Sequence, residues 1–161
     1  MKKEFKTTEE IKAALSKVAD MLEQEVFTHG SKKSFYQNDF VGKYNFNQEI
    51  SAASNYDCGT VACIGGWCWL LANEKPIQET DTNVKYRQAA VDRASHFVWG
   101  HNDSDRAEGL HELFYPPFEH IDGLEDVLFD DVTPQQAAKA IRNYIESDNP
   151  DWEKVMAKCD Q

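Results

Sequence analysis

Apolar residues recur at helical spacing along most of the chain, and this pattern predicts five to six helices. The first helix is predicted over about residues 8–26, behind a capping box formed by Thr7 and Glu10. Pro134 follows Thr133 in a typical helix start, with glutamine at the third position. The remaining helices are expected at about residues 84–99, at about 107–114 and in a short terminal helix around Trp152 and Val155.

The most apolar run, residues 60–73, is apolar on every side, which is typical of a helix inside a helical assembly. Ala62 and Gly66 lie one turn apart in it and would allow a neighbouring helix to approach closely. Residues 31–57 are irregular and rich in aromatic side chains, so we expect a loop packed against the body. No segment strongly predicts a strand. The expected fold is therefore an all-α single domain over residues 1–161, with the 60–73 helix at its centre.

Composition predicts a folded protein of the reduced cytoplasm. Hydrophobic residues make up 41% and aromatic residues 12% of the 161 positions. This content suffices for a hydrophobic core that needs no disulfide or metal ion to be stable. Three of the four cysteines sit in one apolar run, whereas a secreted disulfide scaffold spreads them. The first residues lack the apolar stretch of a signal peptide, and the run ending at Ala72 is too short to span a bilayer.

Negative charge is concentrated in the second half of the chain. The net charge is −11, and residues 76–161 carry eight Lys and Arg against eighteen Asp and Glu. Such a surface repels phosphate backbones, so we expect a basic protein partner rather than direct nucleic-acid binding. A solubilising surface and a divalent-metal site are the alternatives. Between residues 101 and 131 a single base, Arg106, accompanies ten acids: Asp103, Asp105, Glu108, Glu112, Glu119, Asp122, Glu125, Asp126, Asp130 and Asp131.

A local motif lies at the start of the apolar run, where Cys58-Gly-Thr-Val-Ala-Cys-Ile-Gly-Gly-Trp67 follows Phe46-Asn47. This block resembles small uncharacterised bacterial and phage proteins that share the pattern C-G-T-x-x-C-x-A/G-G-W/H. The resemblance covers about residues 45–150, with Gly65 where many such sequences have alanine and with an acidic insert at 119–131 peculiar to this chain. It implies a small all-α fold common in mobile elements, and it brings no activity with it.

Cys58 is the candidate nucleophile for an enzymatic alternative, a cysteine-dependent hydrolase or transferase. A thiol at a helix start has a lowered pKa, and His96 is the histidine available as its base. Helical periodicity around His96 argues against this pair, and a buried structural cysteine is the simpler interpretation. Cys58, Cys63 and Cys68 are spaced by five, so on one helix they diverge by roughly 140° per step. We therefore predict no metal site and no cofactor.

A second alternative is a small-ligand site. The aromatic loop and the predicted helix start would enclose an anionic or nucleotide-like molecule, although plain core packing is the simpler interpretation of Trp67. The residues of this set are Tyr36, Tyr44, Tyr56, Gly59, Thr60 and Trp67.

The leading hypothesis is a non-enzymatic accessory protein of phage or mobile-element type. It would bind a basic, nucleic-acid-handling protein of a bacterial host through the acidic surface of residues 101–131. An inhibitor of a host defence system, similar to an anti-CRISPR protein, is the concrete form of this hypothesis.

Overall fold

The computed structural model describes residues 8–33, 44–55, 59–73, 84–100 and 108–157. The helices in these ranges are α1 (Thr8–Glu23), α2 (Ile64–Asn73), α3 (Val84–Trp99), α4 (Glu108–Phe114), α5 (Pro134–Ser147) and α6 (Trp152–Val155). The strands are β1 (Thr28–His29), β2 (Tyr44–Phe46), β3 (Ala52–Asn55) and β4 (Gly59–Ala62). Two short 3-10 helices lie at Phe118–His120 and Phe129–Asp131.

The helices predicted from periodicity are confirmed, while Thr7, the predicted cap of the first helix, lies outside the described residues. Helix α3 has the predicted bounds, and α5 begins with the predicted capping box. There the Gln136 N–H donates to Thr133 Oγ1 at 3.2 Å, and the Thr133 N–H donates to Gln136 Oε1 at 2.9 Å. Helix α1 ends three residues earlier than predicted, close to Glu25, whose φ of 58° is left-handed. These signals are formed by neighbouring residues, so they can be recognised from the sequence alone.

The prediction of an all-α fold is wrong, because the chain also builds a four-stranded mixed sheet. The strand order is β1-β2-β4-β3. Strand β2 pairs in parallel with β1 and β4, and β3 pairs antiparallel with β4, with Val61 opposite Ala53. The predicted loop at 31–57 therefore contains β2 and β3, and the predicted central helix loses its first four residues to β4 and Cys63.

Short buried strands explain this error. Val61 and Ala62 of the central strand β4 are both fully buried. A strand buried on both sides shows no alternation of apolar and polar residues, and it cannot be distinguished by periodicity from the helix that follows. Strand β2 has only three residues and β3 only four, which is too short for a period of two to be recognised.

Helix α2 confirms the central position predicted for the apolar run. Its residues from Ile64 to Leu70 are all buried, and it packs against α1, α3 and α4. Gly65 faces Val98 of α3 and Phe114 of α4, where an added Cβ would lie 2.9 and 3.0 Å from their side chains. Gly66 instead faces the backbone of Ser51, just before β3. The prediction that Ala62 and Gly66 admit a neighbouring helix is wrong, because Ala62 ends β4 and Gly66 admits the backbone just before β3.

A second contact layer joins the two ends of the chain. Helix α1 packs along α5, and Arg142 of α5 donates to Asp20 at 2.5 Å and to Glu23 at 2.7 Å on α1. These exposed ion pairs contribute little beside the apolar stripe they flank. None of the helices in the described ranges is long and apolar enough to cross a membrane.

Candidate functional site

Six of the ten acids predicted as partner contacts lie in one run of tight turns, residues 118–131, which we name the acidic turn segment. The two 3-10 helices form its ends, and the hydrogen bonds Leu124 N–H to Ile121 O and Val127 N–H to Leu124 O, both 3.0 Å, close the turns between them. Bends and turns thus form the stretch between the two 3-10 helices. Gly123, at a φ of 89°, permits one of these reversals.

Aromatic packing holds the acidic turn segment to the body. The ring of Phe118 is 2% exposed, and it meets the rings of Phe129 and Trp152 edge-on at centroid distances of 6.0 and 5.6 Å. Trp152 Nε1 in turn donates to the carbonyl of Glu112 at 2.7 Å. The turns therefore rest on a fixed aromatic support instead of forming a free loop.

A buried polar contact anchors the far end of the acidic turn segment to the sheet. Asn47, which is fully buried, donates through Nδ2 to Asp130 Oδ1 at 2.5 Å and to the carbonyl of Gly30 at 2.7 Å. The Lys32 N–H donates to the same carboxylate oxygen at 2.6 Å, and His29 Nε2 donates to the Asp130 carbonyl at 3.2 Å. Asp130 is therefore engaged in contacts within the molecule that position this end of the acidic turn segment.

Five carboxylates of the acidic turn segment remain exposed. None of them forms an ion pair with a described lysine or arginine. Asp131 accepts from the Leu128 N–H at 3.1 Å and Glu125 from the Gly123 N–H at 2.9 Å, so these two also stabilise turns. The exposed set is Glu119, Asp122, Glu125, Asp126 and Asp131.

The other predicted contact residues are distributed differently. Glu112 lies on α4 and is half-buried. The backbone of Glu108 begins the same helix. Asp103 and Asp105 lie outside the described residues. The acidic surface is thus reduced, in the described ranges, to the acidic turn segment and its immediate neighbours.

A groove of about 510 Å³ opens beside the acidic turn segment. Its apolar lining comes from residues 115–118 and 127–129. The Tyr115 hydroxyl donates to the Val98 carbonyl at 3.1 Å, and burial raises the pKa of this phenol to about 12. The groove is not predicted by the sequence, because its walls come from segments far apart in the chain, Glu49 and residues between 111 and 129. The polar lining is Glu49, His111, Glu119 and His120.

The two central cysteines are buried structural thiols. Cys63 and Cys68 are 2% and 0% exposed. Burial raises the pKa of Cys63 from 9.0 to about 11, although the N–H groups of Gly66 and Gly65 act in the opposite direction. Burial also raises the pKa of Cys68. Because the folded-state pKa of Cys63 lies above its ordinary value, the neutral thiol favours folding below pH 9, and this contribution is lost as the pH rises from 9 toward 11.

We expect iodoacetamide at pH 8 to label Cys63 and Cys68 at least about 100-fold more slowly in the folded protein than in denaturant, because alkylation requires an exposed thiolate. Peptide mass spectrometry after timed quenching measures each site separately. Rapid labelling of Cys63 in the native state would contradict its buried position. Rapid labelling confined to Cys58 would instead support the enzymatic alternative.

The proposed pair of Cys58 and His96 is described only in part. Cys58 lies outside the described residues, and His96 is exposed on α3, with its ring edge-on to Trp99 at 5.3 Å. In the described ranges no three His, Cys, Asp or Glu side chains are grouped as a metal site needs.

The predicted ligand set is not arranged around a helix start. Gly59 and Thr60 belong to β4, and α2 begins at Ile64, whose N–H donates to Gln48 Oε1 at 3.0 Å. That end of the helix is thus satisfied by a side chain of the protein. Tyr36 and Tyr56 lie outside the described residues.

Trp67 is part of a filled aromatic cluster. Its ring lies 5.0 Å from that of Phe27 and 5.6 Å from that of Tyr44, and Trp67 Nε1 donates to the Asn45 carbonyl at 2.9 Å. With an exposure of 2%, Trp67 contributes to the core. Burial raises the pKa of Tyr44, which agrees with a ring packed against the core.

The helices and the four-stranded mixed sheet define a helix-rich α/β protein, and this protein carries an acidic turn segment on its surface. Comparisons with known protein families, with curated proteins and with solved structures find no match for this chain. The resemblance to small bacterial and phage proteins stays a prediction.

Proposed function

We propose that this chain is a non-enzymatic accessory protein that binds a basic, nucleic-acid-handling protein in the bacterial cytoplasm. The observation that carries the proposal is the set of five exposed carboxylates on the acidic turn segment, held on a fixed backbone without a compensating described cation. Carboxylates at this density repel one another, and a positively charged surface relieves that repulsion on contact.

The target class follows from charge. Proteins that handle nucleic acids expose positively charged grooves to phosphate backbones. A folded acidic surface competes for such a groove and blocks access to the nucleic acid. The concrete form of the proposal is a phage or mobile-element inhibitor of a host defence system, similar in principle to an anti-CRISPR protein.

The test uses two variants that remove the same number of charges from different places. The first, E119Q/D122N/E125Q/D126N, neutralises the acidic turn segment and leaves Asp130 and Asp131 in their structural contacts. Amide oxygens still accept hydrogen bonds, so the Gly123–Glu125 turn contact is retained. The control, E9Q/E25Q/E146Q/E153Q, neutralises four exposed acids elsewhere.

We expect the tagged wild-type chain and the control variant to capture the same basic protein from bacterial lysate. The first variant should bind that protein roughly tenfold or more weakly, because four favourable charge contacts are lost. Isothermal titration with the purified partner gives the affinities, and affinity should fall as salt is raised. If the two variants bind the partner with equal affinity, the acidic turn segment is not the contact surface.

A further inference from the structure

The groove beside the acidic turn segment has an exposed apolar rim. Leu128 is 61% exposed, although it lines the groove. A single exposed leucine is ordinary on a protein surface. This leucine, however, continues an apolar lining formed by residues 115–118 and 127–129. A volume of about 510 Å³ falls in the range of pockets that enclose small molecules or several side chains.

The groove is formed before any partner binds. The Leu128 N–H is fixed by the Asp131 carboxylate, and the neighbouring Phe129 rests edge-on against the buried Phe118. On the other wall, Tyr115 is tied to the α3 backbone at Val98. A ligand that enters a preformed groove does not lose binding free energy to ordering the walls.

Charge around the groove determines which apolar group it suits. Its titratable lining is Glu49, Glu119 and the imidazoles of His111 and His120, and Glu119 begins the exposed acidic set of the acidic turn segment. Lys32 lies 3.5 Å from Glu49, and that pair is half-exposed, so the uncompensated charge lies on the side of Glu119. A segment that carries acidic residues beside its apolar side chain is repelled here. A segment that carries lysine or arginine there combines apolar contact with attraction between opposite charges.

We propose that the groove receives a bulky apolar side chain, leucine or aromatic, from a basic segment of the partner protein. The lysines and arginines beside that side chain contact the carboxylates of the acidic turn segment. This inference rests on the proposed function and adds the chemistry of the segment that is recognised. The apolar anchor supplies most of the discrimination, while the charges align the segment and accelerate its encounter.

The experiment compares three labelled ten-residue peptides that carry the same lysine and arginine flanks and differ only in a central Trp, Leu or Ala. Fluorescence anisotropy measures the Kd of each peptide on the wild-type chain. We expect the Trp and Leu peptides to bind at least tenfold more tightly than the Ala peptide. Leu128→Ser should remove most of that advantage, whereas Val26→Ser, at a position 40% exposed and outside the groove, should retain it.

The remaining outcomes separate this inference from the proposed function. The three peptides could bind the wild-type chain with equal affinity and all lose binding to E119Q/D122N/E125Q/D126N. That result would support the acidic surface as a contact and overturn the groove as an anchor site. No binding of any peptide would also overturn the groove inference, and capture of the partner would decide the proposed function independently. A wild-type dimer in sedimentation, made monomeric by Leu128→Ser, would place a second copy of the chain in the groove and overturn the inference as well.

Discussion

Replacing Gly66 with alanine is expected to lower the free energy of unfolding by about 3 kcal/mol or more. An added Cβ would lie 1.9 Å from the Ser51 carbonyl oxygen and 2.8 Å from the Ala62 Cβ. The nearest atom belongs to the backbone, so it cannot move aside as a flexible side chain would. Relief requires the segment before β3 to separate from α2, which disturbs the pairing of β3 with β4.

The sign of the effect distinguishes packing from helix propensity. Alanine in a helix interior is otherwise favoured over glycine by about 1 kcal/mol. The comparison is Gly100→Ala, just after the end of α3, where the nearest atom to an added Cβ is the His96 carbonyl oxygen at 3.3 Å, so its cost should be much smaller than at Gly66. Urea unfolding followed by circular dichroism measures both variants, and the loss at Gly66 corresponds to a fall in Tm of roughly 10 °C. A Gly66→Ala variant as stable as the wild type would show that Ser51 does not pack against α2 as described.

Replacing Gln48 with methionine is expected to cost about 3 kcal/mol, because one buried amide satisfies backbone groups at the ends of two helices. Gln48 is 3% exposed. Its Oε1 accepts from the Ile64 N–H at the start of α2, and its Nε2 donates to the Leu113 and Phe114 carbonyls at 3.3 and 3.0 Å, at the end of α4. Methionine matches the length of glutamine but makes none of these hydrogen bonds.

Gln135→Met is the control for this substitution, since Gln135 is exposed on α5 and should tolerate the change within about 0.5 kcal/mol. Hydrogen exchange adds a local measurement. The amide of Ile64 should exchange faster in Gln48→Met because it loses its hydrogen-bond acceptor. The amide of Tyr115 should also exchange faster, because the end of α4 loses its hydrogen bonds from Gln48. Unchanged stability and exchange would mean that water replaces the amide without cost, contrary to its buried position.

The helices could be predicted from the sequence because their signals are local. The apolar stripe of α3 and the Thr133 capping box each lie within a few residues. The strands could not be predicted, because β2 has only three residues and is stabilised by pairing with β1 and β4 from other parts of the chain. Cys63 separates β4 from α2, and nothing in the uniformly apolar run marks that change of structure.

The candidate site divides in the same way. Charge counting located the acidic run, since charge is a property of composition. It did not separate Asp130, bound by Asn47 from 83 positions away, from exposed neighbours such as Asp126. Nor did it reveal the groove, whose walls combine Glu49 with residues more than sixty positions later in the chain.

The sequence by itself determined the helices, the buried position of the Ile64–Leu70 run and the excess of negative charge in the second half, because each depends on neighbouring residues or on composition. Only the tertiary structure decided the sheet, the double role of Gln48, the internal role of Asp130 and the groove beside Leu128. Each of these depends on which distant segments come into contact, and that is set by packing of the whole chain rather than by any local pattern.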